Sequence, residues 1–297
     1  MRTSAPTTAP SAAGLEQPAL KTRRQIQKEI AGIHEFCRQF SEATHGPAPL
    51  VAVSPDVKRV SMLISLALEL CGELRAGNGL EIGAGFGSLL FPMAAALPHI
   101  HWTAIEHPGR EFVSKPEYRA AFDKFHCELI LSDIVRAPFP FPDDAFDVVT
   151  FSEVLEHLPA ERLYPILGEI ARVTMTGGIL IVSSPNLTSL ENRIRLAKGK
   201  SILEMPDEMS YAAGTYGHIR LYATAEILQA MERLGFEKLR CEIESCNAGY
   251  RGKSERSLRR RAYRMYERVE RLLPPLKRLG DTWYLALAKR PRSGESM

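Results

Sequence analysis

Apolar positions along the chain alternate between two periods. Short apolar runs at 79–82, 101–107, 127–133, 146–152, 179–184, 239–245 and 282–289 are rich in Val, Ile, Leu, Phe and Tyr and read as strands. Between them lie stretches with a helical period. Ile26, Ile30, Ile33, Cys37 and Phe40 set one over 22–43, and Ser54-Pro55-Asp56 opens a Leu-, Ile- and Met-rich one to Cys71. Others run from the glycine stretch to about Leu97, over 161–173, and over 224–235 up to Gly235. Gly177-Gly178 is expected to turn the chain before the fifth strand, and 186–217 to form an irregular lid or substrate loop. Strands alternating with helices predict an α/β chain, a doubly wound, mostly parallel seven-stranded sheet with helices on both faces. Ligands in such sheets bind beyond the carboxyl ends of the strands.

The chemistry gathers at those ends. Gly83, Gly85 and Gly87 stand at alternate positions between a strand carrying Glu81 and a helix start. Glycine lets a ligand lie against the backbone there, and the helix start offers free N–H groups. The G-x-G-x-x-G dinucleotide fingerprint is not met, because Ser88 and Leu89 supply no later glycine, which argues against a nucleotide-binding oxidoreductase. Glu106 ends the second strand, where a carboxylate can accept two ribose hydroxyls. Asp133 and Ile134 follow the third strand, where Asp133 can serve as a turn residue. Ser152 ends the fourth. A helix starting near Glu153 would put Glu153, Glu156 and His157 on one face beside these groups. Two carboxylates and an imidazole suit proton removal or cation binding. A merely structural role, capping the loop, is the alternative, and a protein that only bound a ligand would have no need of all three.

Within the E-x-G-x-G-x-G stretch the chain resembles motif I of class I S-adenosylmethionine (SAM)-dependent methyltransferases. The segments 139–158, 169–186 and 217–236 resemble the UbiE/UbiG-like small-molecule methyltransferases, with Ala223 where those enzymes often carry Thr or Pro. The resemblance implies a Rossmann-like fold and a SAM site made of Glu81, Gly83, Gly85, Gly87, Glu106, Asp133, Ile134 and Ser152. It implies a catalytic group of Glu153, Glu156, His157 and His218. E-x-x-E-H also resembles the metal motif of UbiG-like and small-RNA 2′-O-methyltransferases, which makes the same four residues candidate ligands of a divalent metal. Arg220 and Tyr222 are the substrate-side candidates, and the fixed charge of Arg220, two residues from His218, favours a lone base over a metal. The expected activity is methylation of an oxygen on a small molecule, sugar or lipid-linked intermediate, with RNA 2′-O-methylation as the alternative.

Composition changes the picture in three places. The chain of 297 residues carries a net charge of only +3, so charge alone does not make it a polyanion binder. Within it, 251–280 holds eleven Lys or Arg against three Glu, a net of +8 that leaves −5 for the rest. Leu258, Ala262, Met265, Val269, Leu272 and Leu276 make this a basic amphipathic helix inserted before the last strand, suited to peripheral contact with an anionic membrane surface or acceptor. No RNA module accompanies it, so nucleic acid is the weaker partner. The five cysteines form no CxxC pair and are expected to be reduced packing residues in a cytoplasmic protein. The domain plan is a disordered tail over 1–20, covering helices over 21–75, a core over 76–250, the basic helix, the last strand over 281–290 and a tail to 297.

Overall fold

The structure is a computed structural model. It describes residues 57–203 except 73 and 75, then 217–246 and 278–291, with Lys28, Gly32 and Ile33 of the N-terminal segment. Most of the expected 22–43 helix, the tails and 251–277 of the basic segment lie outside the described residues; Lys28, Gly32 and Ile33 are helical, and Ile33 packs against the core.

Among the described residues seven strands form one sheet: β1 (Gly77–Ile82), β2 (Ile100–Glu106), β3 (Glu128–Leu131), β4 (Phe146–Ser152), β5 (Thr174–Pro185), β6 (Phe236–Glu244) and β7 (Thr282–Lys289). Their order is β3-β2-β1-β4-β5-β7-β6. The five strands from β3 to β5 run parallel, and β7 lies antiparallel between β5 and β6. Among the residues described from 57 onward, six α-helices flank it: α1 (Val57–Cys71), α2 (Leu90–Ala96), α3 (Pro116–Lys124), α4 (Leu163–Val173), α5 (Leu190–Ala197) and α6 (Thr224–Arg233).

The pleat divides the strand side chains between two cores. Val148, Ile181, Tyr284 and Ala286 join α1, α2 and α3 on one face. Their neighbours Val149, Leu180, Val182, Trp283, Leu285 and Leu287 join α4 and α6 on the other. Central strands buried on both faces need apolar residues at every position, which is why they read as unbroken runs. Burying each Leu, Ile or Val side chain contributes roughly 1.5–3 kcal/mol.

Three expectations are corrected. Gly177-Gly178 does not turn the chain: β5 begins already at Thr174 and runs through both glycines. Its pairing with β4 jumps from Phe146↔Thr174 to Val148↔Ile179, a bulge that Gly177 accommodates with φ +80°. Residues 186–217 are not irregular throughout, since α5 lies within them, capped by the Ser189 hydroxyl accepting from the Asn192 N–H. Among the described residues no helix is long and apolar enough to cross a membrane. Cys71 and Cys127 are buried, with burial pushing both thiols up to about 12, whereas Cys241 is exposed rather than packed.

Candidate active site

The carboxyl ends of β1, β2 and β4 meet at the glycine loop. Gly83, Gly85 and Gly87 all have positive φ, at 78°, 52° and 76°. A Cβ on Gly87 would strike the Phe91 ring at 2.2 Å, whereas one on Gly85 would point into open space. The middle glycine thus presents bare backbone to whatever occupies that space. It is held from both sides. Its N–H donates to Glu106 Oε2 at 2.7 Å, and Tyr118 Oη donates to its carbonyl at 2.8 Å. Glu106, buried at the end of β2, also accepts the His107 N–H through Oε1 at 2.8 Å. Glu81 is buried beneath the loop with Oε2 lacking a hydrogen-bond partner. Burial holds its carboxyl well above the ordinary range, against the pull of Arg59 and with a push from Glu106.

Asp133 takes the turn geometry. Its Oδ1 accepts the Val135 N–H at 3.0 Å, and Oδ2 faces His107 Nε2 and Arg136 Nε, each at 3.4 Å. Because the Gly109 N–H donates to His107 Nδ1, the ring proton sits on Nε2, toward Asp133. Ile134 packs partly buried beside it.

Beyond β4 the chain departs from expectation. No α-helix begins at Glu153, whose φ of +56° is left-handed. Only a 3-10 turn, Leu155–His157, follows before Leu158 returns to extended backbone ahead of Pro159. Glu153, Glu156 and His157 therefore do not share a face. The Glu153 carboxylate turns to Ser183, whose hydroxyl donates to Oε1 at 3.0 Å. Glu156 is wholly buried, with Oε2 accepting from Ser184 Oγ at 3.0 Å and Oε1 left without a hydrogen-bond partner. Burial and then Glu153 hold its carboxyl well above the ordinary range.

His218 is brought to Glu156 from 62 residues away by backbone pairing. The Ile219 and Arg220 N–H groups both donate to the Glu156 carbonyl, at 2.8 and 3.2 Å. The His157 and His218 rings then stand 5.1 Å apart, each Nε2 4.0 Å from Glu156 Oε1. One ligand atom from each of Glu156, His157 and His218 lies within 4.8 Å of the others. Glu153 is not part of that group. Arg220 donates to Glu226 Oε1 at 2.6 Å and lies over the Tyr222 ring at 4.6 Å. Its charge is thus balanced by Glu226, which removes the ground on which it was expected to repel a cation. Tyr222 is buried, its Oη without a hydrogen-bond partner.

Sequence reasoning missed Arg59. It sits in the first turn of α1, and its Nη1 donates to Ser152 Oγ at 2.9 Å and lies 4.0 Å from Glu153 Oε1. The Ser152 and Ser183 hydroxyls are 2.8 Å apart. Since Ser183 donates to Glu153, the chain of donors runs from Arg59 through both serines to Glu153. The available signal was a basic residue next to buried Val60 at the start of a largely apolar helix.

A sheet of this order, with an acid-flanked glycine loop over β1 and an acid at the end of β2, is the frame of a class I SAM-dependent methyltransferase. Residues 32–240 match the family model described as a methyltransferase domain, and the chain belongs to that family. It is 21% identical over 178 residues to the tRNA N(3)-cytidine methyltransferase METTL2 of Gallus gallus, covering 59% of this chain and 46% of that one. The chain thus spans about half the length of the curated relative it matches. A solved chain from the Haloferax volcanii complex of the Trm112 methyltransferase activator with a methyltransferase superposes with a TM-score of 0.52 at 16% identity, over 90% of this chain and 98% of that one. The [4+2]-cyclase SpnF superposes with a TM-score of 0.51 at 16% identity, over 92% and 98%. The last two likenesses concern the fold alone, and a cyclase among them shows that the fold does not dictate the reaction.

Proposed function

We propose that this SAM-dependent methyltransferase acts on an oxygen nucleophile, a hydroxyl of a small molecule, sugar or lipid-linked intermediate. The observation that carries the proposal is the convergence of His157 and His218 on the unpartnered Oε1 of buried Glu156. The donor's seat is the glycine loop with Glu81, Glu106, Asp133, Ile134 and Ser152; the open space over Gly85 and the lone pairs left on Glu106 fit it. When bound, the donor supplies an electrophilic methyl group on a sulfonium. The chain must then align the acceptor oxygen and accept its proton. Imidazole is the side chain suited to take a proton near neutral pH, and the buried carboxyl between the two rings orients them.

The same three residues would hold a divalent cation if one is used, and it would acidify the acceptor hydroxyl. One carboxylate and two imidazoles suit Mn²⁺ or Fe²⁺ better than Mg²⁺. Glu153, turned to Ser183, serves here as a positioning residue for the strand end.

An RNA acceptor is the second reading, favoured by the likeness to a tRNA methyltransferase. The net +8 of 251–280 would serve either an anionic acceptor or an anionic membrane surface.

The test is methyl transfer from labelled SAM to a panel of hydroxyl-bearing metabolites and to tRNA, with the product atom located by mass spectrometry. His157→Ala should keep S-adenosylhomocysteine affinity and lose about 10²–10⁴-fold in turnover. If a cation is used, chelation should silence the wild type, and His218→Ala and Glu156→Ala should fail alike. Methyl found on a base nitrogen of RNA, or full turnover by His157→Ala, would overturn the proposal.

A further inference from the structure

We infer that Tyr118 is a positioning residue for donor binding: its hydroxyl locks the one peptide group of the glycine turn that nothing else in the turn holds. The inference rests on the donor seat proposed above. Residues 84–87 form a β-turn, closed by the Gly87 N–H donating to the Ala84 carbonyl at 2.8 Å. Gly85 has a positive φ of 52° and Phe86 does not, which is the type II′ pattern. Such a turn contains three peptide groups. The closing bond engages the first through the Ala84 carbonyl and the third through the Gly87 N–H. The Gly85 N–H, also on the first, donates to Glu106. None of these bonds touches the middle peptide, between Gly85 and Phe86. Beside a glycine, that peptide can rotate at low steric cost, because one of its flanks has no Cβ. Tyr118 holds it, its hydroxyl donating to the Gly85 carbonyl at 2.8 Å.

The sequence builds this hold from α3. Pro116 starts the helix, and Tyr118 falls in its first turn, fully buried. The Phe112 ring at 5.0 Å and the Phe122 ring at 5.1 Å flank it and fix where the hydroxyl ends. Phe112 also lies 4.4 Å from the Phe86 ring, so the turn and α3 share one aromatic cluster. Burial, and then the charges of Glu106 and Glu81, hold the hydroxyl far above its ordinary range, so it stays a donor at any working pH. In a trans peptide the N–H points opposite to the carbonyl. With the Gly85 carbonyl turned to buried Tyr118, the Phe86 N–H is aimed the other way, toward the side where the space over Gly85 is open. A flipped peptide would put a carbonyl oxygen there and reverse the partial charge the loop shows a ligand. A loop sampling both orientations binds with the affinity of the receptive one, scaled by its population. A buried tyrosine hydroxyl also needs a partner for stability alone, and the two roles separate by experiment.

Calorimetric titration of the full chain with S-adenosylhomocysteine, well below the melting temperature of every variant, tests this. Tyr118→Phe removes the hydroxyl and keeps the ring with its packing. It should lose roughly 3- to 30-fold in affinity, the range for leaving a part-buried carbonyl without its donor. Ile166→Val, a core change across the sheet from Tyr118 with a comparable loss of stability, should bind like the wild type. In ¹⁵N spectra of the unliganded chains, the Phe86 amide of Tyr118→Phe should be displaced or broadened by exchange and should return toward its wild-type position when ligand is added. Affinity of Tyr118→Phe within about twofold of the wild type would overturn the positioning role. So would an equal loss in Ile166→Val, or a Phe86 amide that the substitution leaves in place. Failure of the wild type to bind S-adenosylhomocysteine would overturn the donor seat itself, and the role of Tyr118 with it.

Discussion

Replacing Glu106 by Ala puts the donor seat to a quantitative test. The carboxylate has two oxygens and about four lone-pair directions. Oε2 accepts from Gly85 N–H and Oε1 from His107 N–H, at 2.7 and 2.8 Å, which leaves about one direction on each oxygen. Two adjacent ribose hydroxyls would use those two. A hydrogen bond to a charged acceptor contributes about 1.5–3 kcal/mol net. The Ala variant opens room for water to satisfy the hydroxyls, so the lower part of the range applies to each bond. The expected loss is about 3 kcal/mol, or on the order of 150-fold in S-adenosylhomocysteine affinity. Isothermal titration at fixed ionic strength measures it. A 2′-deoxy analogue supplies the internal check: it should bind the wild type more weakly than the parent ligand, and bind the variant and the wild type more nearly alike. The loop must be watched separately, because Gly85 N–H also loses its acceptor. Tyr118 still holds the Gly85 carbonyl from the other side, so the loop should keep its course and 5′-deoxyadenosine derivatives without ribose hydroxyls should bind unchanged. Affinity within about threefold of the wild type would refute the ribose role of Glu106.

Two further outcomes follow from charges placed elsewhere. Glu81→Gln should raise the melting temperature of the unliganded protein increasingly as pH rises. Burial holds the Glu81 carboxyl above its ordinary 4.5, so its contribution to stability is full below that value and is lost as pH rises through the higher folded value. Melting curves of variant and wild type that stay parallel from pH 4 upward would contradict this; Glu156, shifted in the same direction, should leave a residual slope in both. For the basic segment, whose Arg259, Arg260 and Arg261 lie outside the described residues, charge alone gives the expectation. The chain should cosediment with anionic vesicles and be released by salt, and reversing those three residues to Glu should abolish this while sparing S-adenosylhomocysteine binding. Equal partition to neutral and anionic vesicles would dismiss the membrane.

The elements were legible in the sequence where burial imposes a period, and the candidate site was legible only where its residues sit at a strand end. β4 and β7 were bounded to the residue because both of their faces are covered, so the apolar run starts and stops with the strand. Gly83, Gly85 and Gly87 just past β1 and Glu106 at the end of β2 could be located for the same reason, because each adjoins such a run. Beyond the strand end the periodic signal stops. Glu153 was put on a helix by its spacing from Glu156 and His157, yet nothing in that spacing opposes the left-handed backbone at Glu153 or the extended Leu158 that follows. Pro159, two residues after His157, was the available warning, since the residue before proline disfavours the helical region. Gly177-Gly178 misled in the opposite sense, because glycine marks a bulge within a strand as readily as a turn between two elements. Arg59 lay furthest from sight. Its hydrogen-bond partner Ser152 is 93 residues away, and a period of 3.6 says which face of α1 is buried, not what the edge of that face meets. Charge balance offers a second way to find such a residue. Glu81, Glu153 and Glu156 cannot gather at one end of a sheet without a cation nearby to offset them. A chain that presents buried acids at successive strand ends therefore calls for a search of its covering helices for the lone basic residue on an apolar face.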